Sequence, residues 1–192
     1  ERQKSGYYLE KITVEVDGEK TEETSYAGTP LPTSKTVTAD AGKTATVTFT
    51  NMPQKGTFSV TKRDADGVVP GVTFTLSQGE KKITATTDEN GVATFENVDI
   101  GEYTLKETGA PTDYVMDATE YTVIVTGNDH NTPAATVKIN GTEQSSLTVN
   151  NAYADHKLTL TKVVVDDTWN ANADKTFAFR VELKNEAHKT FT

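Results

Sequence analysis

Apolar and polar residues alternate along most of the chain, in short runs. Phe58-Ser59-Val60, Tyr103-Thr104-Leu105 and Leu147-Thr148-Val149 each put every second residue on one face. That is the period of a β-strand, whose side chains point alternately to opposite sides. Thr, Val, Ile, Tyr and Phe fill these runs, and β-branched and aromatic residues suit a pleated surface. Nothing keeps a helical period over three turns. Asp17-Gly18, Asp66-Gly67, Asn90-Gly91 and Asn140-Gly141 punctuate the runs, and such pairs accept the positive φ of hairpin turns. The pattern predicts an all-β chain of sandwich or barrel type. Strands are expected near 57–62, 72–77, 81–87, 92–96, 102–108, 120–126, 134–139 and 146–151.

The strand pattern repeats with a period near 100. Residues 46–51, Thr-Val-Thr-Phe-Thr-Asn, match residues 146–151, Ser-Leu-Thr-Val-Asn-Asn. Phe58-Ser59-Val60-Thr61-Lys62 matches Leu158-Thr159-Leu160-Thr161-Lys162 at the same offset. A looser echo links Glu1 through Tyr8 to Glu107 through Tyr114. Self-similarity of this kind marks tandem units. Three are expected: residues 1–53 as the C-terminal half of a first domain, 56–153 as one complete domain, and 157–192 as the opening of a third. The junctions at 52–56 and 152–156 are short, so neighbouring domains should lie close together.

Composition narrows the function. The 192 residues carry a formal net charge of -9, which argues against a nucleic-acid partner, since phosphate binding needs a basic face. Hydrophobic residues make up 34%, enough for small sandwiches rather than one large core. No apolar run is long enough to span a bilayer, and no signal peptide is visible. For an exported protein, the targeting and anchoring segments are expected outside this stretch. Cysteine is absent, so an extracellular chain of small domains would need a staple other than a disulfide.

Candidate chemistry lies on the inward faces. Lys62 continues the face of Phe58 and Val60, Glu107 that of Tyr103 and Leu105, and Asn151 that of Leu147 and Val149. Three apolar faces thus bring a Lys, a Glu and an Asn to one end of one core. Burial disfavours charge. A neutral amine is a nucleophile, and a protonated carboxylic acid can polarise a carboxamide and shuttle protons. Loss of ammonia from Asn151 would leave its side chain joined to Lys62 by an amide. Singly, each residue has a plainer reading: a solvated strand end, a salt bridge, a turn cap. Asn150 adjoins Asn151 as an alternative donor, but alternation and the offset from Asn51 both choose Asn151. Glu1, Asn51 and Lys162 occupy corresponding positions in the flanking units.

Further motifs bring in a family. Lys62-Arg63-Asp64-Ala65-Asp66-Gly67 with Pro70-Gly71-Val72-Thr73-Phe74-Thr75-Leu76 resembles the start of a Cna-B domain, the B-type repeat of Gram-positive collagen adhesins and sortase-assembled pilins. Residues 87–95 resemble its middle hairpin. Residues 101–108, with Ala110-Pro111 and Tyr114, resemble its Glu-bearing motif, and Val149 through Tyr153 its closing strand. The family usually has Gly before that Tyr, where this chain has Asp113. The resemblance covers 56–153 and implies tandem transthyretin-like, reverse immunoglobulin-like β-sandwiches. It also implies an intramolecular isopeptide bond, with Lys62 as nucleophile, Asn151 as acyl donor and Glu107 as catalytic acid.

The expectation is a structural stalk or pilin backbone of a Gram-positive cell surface, anchored to the cell wall, not an enzyme beyond its single-turnover crosslink. The expected partners are neighbouring domains of the same chain, other pilin subunits joined through sortase, and a host surface ligand. The alternative function is a ligand-binding adhesin module, for which Tyr7, Tyr8 and Tyr26 are the candidate aromatic cluster. A third reading, an accessory domain of a secreted enzyme, requires a catalytic domain elsewhere. No cofactor and no metal are expected. Leu31-Pro32-Thr33-Ser34-Lys35 lacks the ending of a sorting signal. Asp64-Ala65-Asp66-Gly67 lacks the bidentate Glu of a calcium loop. His130, His156 and His188 have no ligand spacing.

Overall fold

The computed structural model describes residues 4–31, 34–154, 157–161, 163 and 178–180. The chain divides into two compact units, 1–155 and 156–192. In the second unit the described residues carry no strand or helix, and the alternating apolar run at 177–183 lies largely outside the described residues.

Among the described residues the first unit holds fourteen strands: β1 (Tyr7–Val16), β2 (Glu19–Ser25), β3 (Ala45–Pro53), β4 (Gly56–Arg63), β5 (Thr73–Gln78), β6 (Lys81–Thr86), β7 (Val92–Val98), β8 (Gly101–Gly109), β9 (Tyr114–Val115), β10 (Glu120–Thr126), β11 (Thr136–Ile139), β12 (Thr142–Glu143), β13 (Ser146–Asn150) and β14 (Ala152–Tyr153). Every strand expected between 57 and 151 is present, within a few residues at its ends. Two predicted turns take positive φ at both central residues, Asp17-Gly18 (51° and 84°) and Asn140-Gly141 (50° and 81°), as a two-residue hairpin requires. The Asp66-Gly67 turn forms otherwise. Asp64 Oδ1 accepts from the Asp66 and Gly67 amides at 2.8 and 2.7 Å, an Asx-type turn.

Residues 56–153 form two facing sheets. One is ordered β12-β11-β10-β8-β5-β6, the other β13-β4-β7. Their inward residues meet in one core: Phe58, Val60, Ala93, Phe95 and Val149 from the smaller sheet, and Phe74, Leu76, Tyr103, Leu105, Val123 and Ile139 from the larger. Phe58 and Phe95 stack with ring centroids 4.9 Å apart. The first and last long strands, β4 and β13, are neighbours and run parallel, with Val149 opposite Lys62.

Residues 7–53 form a separate sheet, β2-β1-β3, in which β1 buries Leu9, Ile12 and Val14. β3 and β13 correspond by the 100-residue offset but pair differently. β13 lies parallel to β4, whereas β3 lies antiparallel to β1.

Contacts around residue 54 tie the β1–β3 sheet to the sandwich. Gln54 is fully buried. Its Nε2 donates to Asn128 Oδ1, His130 O and Thr132 O at 2.9–3.0 Å, and its Oε1 accepts from the Asn128 amide at 2.8 Å. Asn131 reaches the other way. Its Oδ1 accepts from the Leu9 amide at 2.7 Å, and its Nδ2 donates to Tyr26 O at 2.7 Å and Thr29 O at 3.0 Å. A Cβ on Gly127 would stand 2.2 Å from Gly6 Cα, so this approach of two backbones requires glycine.

Candidate functional site

β4 and β8 carry their polar residues inward for the reason their sequences predict. Burial alternates along both strands, and Lys62 and Glu107 fall on the buried phase. Asn151 lies one residue past β13. Its amide donates to Arg63 O at 2.9 Å, so the pleat continues and its side chain also turns inward. Lys62 is 0% exposed, Glu107 2% and Asn151 8%. Asn150, on the opposite phase, is exposed.

The three side chains meet. Lys62 Nζ donates to Glu107 Oε2 at 2.6 Å. Asn151 Nδ2 donates to Glu107 Oε1 at 2.8 Å. Glu107 therefore bridges amine and carboxamide with one oxygen for each. Phe74 floors the site, its ring centroid 5.8 Å from Lys62 Nζ. Asn151 Oδ1 is buried and has no hydrogen-bond partner among the described residues. A buried acceptor left unpaired costs on the order of 1–3 kcal/mol. The expected polarisation of the carbonyl by Glu107 would place Oδ1 against the carboxyl, and Nδ2 stands there instead. An ionised carboxylate can only accept, so it takes the amide's donor end.

A second polar cluster adjoins the first and was not singled out in the sequence. Asp64 Oδ2 accepts from Tyr114 Oη at 2.7 Å and Tyr153 Oη at 2.9 Å. Burial works to raise the Asp64 carboxyl, but the two tyrosine hydroxyls and the Asp66 and Gly67 amides outweigh it and hold it at about 2. Burial and the bond to Asp64 push the Tyr114 hydroxyl up to about 12. Tyr153 is raised too, by burial and by Asp66 and Asp64. The available signal was parity: Asp64 and Tyr153 each follow a site residue by two positions, on the same face.

On another side, Tyr121 Oη donates to Asp117 Oδ2 at 2.9 Å. Burial acts to raise Asp117, but bonds from Thr119 and Tyr121 and the charge of Lys62 bring it below the usual value.

Asn51 is exposed on β3, opposite Leu9 of β1. Glu1 and Lys162 lie outside the described residues. Tyr8 lines a groove of about 490 Å³ at the junction, with Met52, Pro53, Lys55 and Pro133 among its walls, and neither Tyr7 nor Tyr26 lines it. Among the described residues no group of His, Cys, Asp or Glu is placed to hold a metal, and no helix is long and apolar enough to cross a membrane.

Residues 56–143 match the family described as "SpaA: Prealbumin-like fold domain". The sequence matches none of the curated proteins. Among solved structures, the C-terminal fragment of the pilus adhesin SpaC from Lactobacillus rhamnosus GG is 21% identical, with a TM-score of 0.46, covering 82% of this chain and 74% of that one. The major pilin SpaD from Corynebacterium diphtheriae is 20% identical at a TM-score of 0.38, covering 51% of this chain and 30% of that one. The Bacillus anthracis TIE protein is 23% identical at a TM-score of 0.41, covering 57% and 19%. The chain thus spans less than a third of the length of SpaD and of TIE.

Proposed function

We propose that this chain, whose residues 56–143 form a SpaA-type prealbumin-like domain, is a structural segment of a Gram-positive surface stalk or pilus, and that its complete domain closes on itself through an amide between Lys62 and Asn151. The observation that carries the reading is the buried bridge of Glu107 between an amine and a carboxamide.

The chemistry balances without a cofactor. A proton passes from the Lys62 ammonium to the Glu107 carboxylate and resides on Oε1, the oxygen facing Asn151, leaving a neutral amine and a neutral acid. Glu107 is now a donor, and a half-turn of the Asn151 carboxamide brings Oδ1, until then unpaired, to it. The acid polarises the carbonyl, and Nζ attacks Cγ. The C–Nζ bond forms and the Cγ–Nδ2 bond breaks. Glu107 gives its proton to Nδ2 and regains one from Nζ, so ammonia leaves. Two buried charges are replaced by an amide and a neutral acid, which removes a desolvation penalty.

The bond suits a stalk. It joins strands 89 positions apart, and in the chain-entropy model such a closure removes roughly 4–5 kcal/mol from the unfolded state. Tension entering at β4 and leaving past β13 crosses a covalent bridge, so the strands between need not unravel. An amide is also indifferent to thiol reductants, unlike a disulfide.

In this reading residues 1–53 are the C-terminal half of a preceding domain of the same kind and 157–192 open a following one. Glu1, Asn51 and Lys162 are then partial sites of the flanking repeats, matched by sequence position alone, and Asn51 is exposed on β3. The partners are neighbouring domains and other subunits, outside the cell. Protease digestion followed by mass spectrometry of fragments tests the bond. A branched peptide containing Lys62 and Asn151 supports it, and separate linear peptides covering both residues refute it.

A further inference from the structure

Each of the three chain segments that supplies a buried site residue also supplies, just beyond it, one member of the second cluster. Lys62 is followed by Asp64, Glu107 by Tyr114, and Asn151 by Tyr153. Asp64 Oδ2 receives both tyrosine hydroxyls, Tyr153 Oη also stands 2.8 Å from Asp66 Oδ2, and the two rings lie 5.1 Å apart. Asp64 itself is fixed by the Asp66 and Gly67 amides. The second cluster thus draws on the same three segments, two positions past Lys62 and Asn151 and seven past Glu107.

The donor needs such support. β13 ends at Asn150, and a single further backbone bond, from the Asn151 amide to Arg63 O at 2.9 Å, ties the donor to β4. Beyond it the chain leaves β4 and pairs with β9 over two residues only, Ala152 with Val115 and Tyr153 with Tyr114. The Ala154 amide adds one bond to Asp113 O at 2.8 Å. Two backbone pairs hold a segment weakly, whereas a reacting carboxamide must be kept within about 0.5 Å of its productive position.

We propose that Asp64, Tyr114 and Tyr153 are positioning residues for the crosslink, a clasp that pins the segment after β13 to the turn after β4 and so holds Asn151 against Glu107 and Lys62. The inference rests on the crosslink proposed above. The hydroxyls touch neither Nζ nor Cγ; they act through the backbone of residues 63–64 and 151–153. Because Asp64 is anchored by its own turn, the clasp sets the register of β13 on β4 as well as closing the end of the core.

The test is the rate of ammonia loss, followed by intact mass after cell-free synthesis of the full chain. Tyr153→Phe keeps the ring and its stacking but removes the hydroxyl. Asp64→Asn keeps the size but removes the charge. Both should slow the loss by roughly 10- to 100-fold, the scale on which misplacement by about an ångström acts on a positioned reaction. Tyr103→Phe is the matched control. It deletes another tyrosine hydroxyl bond, to Asp99 O at 2.9 Å, at the other end of β8, and should react at the wild-type rate. Equal rates in Tyr153→Phe, Asp64→Asn and Tyr103→Phe would overturn the clasp while leaving the crosslink standing. A wild-type chain that never loses ammonia would overturn both.

Discussion

Lys62 Nζ lies 2.6 Å from Glu107 Oε2 across 45 positions of sequence, with both side chains sealed from solvent. A buried pair of this kind contributes little net stability, but removing one partner leaves an uncompensated group. Glu107→Ala would remove the acid of the proposed crosslink and leave the buried Lys62 amine without its partner, whereas Lys62→Met would fill the amine's space with an apolar chain and leave Glu107 still bonded to Asn151 Nδ2. Thermal unfolding should rank wild type above Lys62→Met, and Lys62→Met above Glu107→Ala. The cost of Glu107→Ala should be about 3–5 kcal/mol from the lost partner, in addition to the lost closure. Equal melting of the two variants would show that Lys62 does not depend on Glu107.

Acid should loosen the domain through the clasp. The Asp64 carboxyl is held at about 2 in the fold, below the ordinary value near 3.9. A depressed carboxyl contributes stability that is fully present above the unfolded value and is lost as pH falls through the folded one. Stability should therefore decline from about pH 4 towards pH 2. Asp99, held at about 2 by Lys55 and then Lys81, acts in the same direction from an exposed site. Denaturant midpoints across this range check the effect. Asp64→Asn should flatten part of the slope, and an unchanged slope would contradict the assignment.

Much of this arrangement was legible in the sequence. A period of two places Lys62, Glu107 and Asn151 inward because each extends an apolar face by one step, and face alternation survives any small error in strand ends. The same alternation preferred Asn151 to its neighbour Asn150 as donor, and Asn150 is exposed. What the sequence did not display was pairing. β3 and β13 read alike, yet one lies against β1 and the other against β4, since partner choice depends on the strands available in space. The turn at Asp66-Gly67 was foreseen but not its means, because an aspartate side chain two residues earlier supplies the bonds. Nor did alternation reveal the tyrosine hydroxyls on Asp64, which depend on how the segments after β8 and β13 close.

The junction between 1–53 and the complete domain should behave as a fastened joint rather than a linker. Asn131 Oδ1 holds the Leu9 amide, and the Asn131 carbonyl accepts from the Gly28 amide at 2.9 Å. Asn131→Ala should speed hydrogen exchange at the Leu9 amide, while core amides of β5 and β8 keep wild-type protection. Gly127→Ala should loosen the same joint by a different route, through the collision of its Cβ with Gly6. Unchanged exchange at Leu9 in both variants would contradict a joint held by these contacts.

The crosslink itself is best tested by weighing the purified, unfolded chain. A mass short of the sequence value by one ammonia, restored to the full value in Lys62→Ala, Glu107→Ala and Asn151→Ala but not in Asn150→Ala, is the result expected. A wild-type chain at its full sequence mass would contradict the bond.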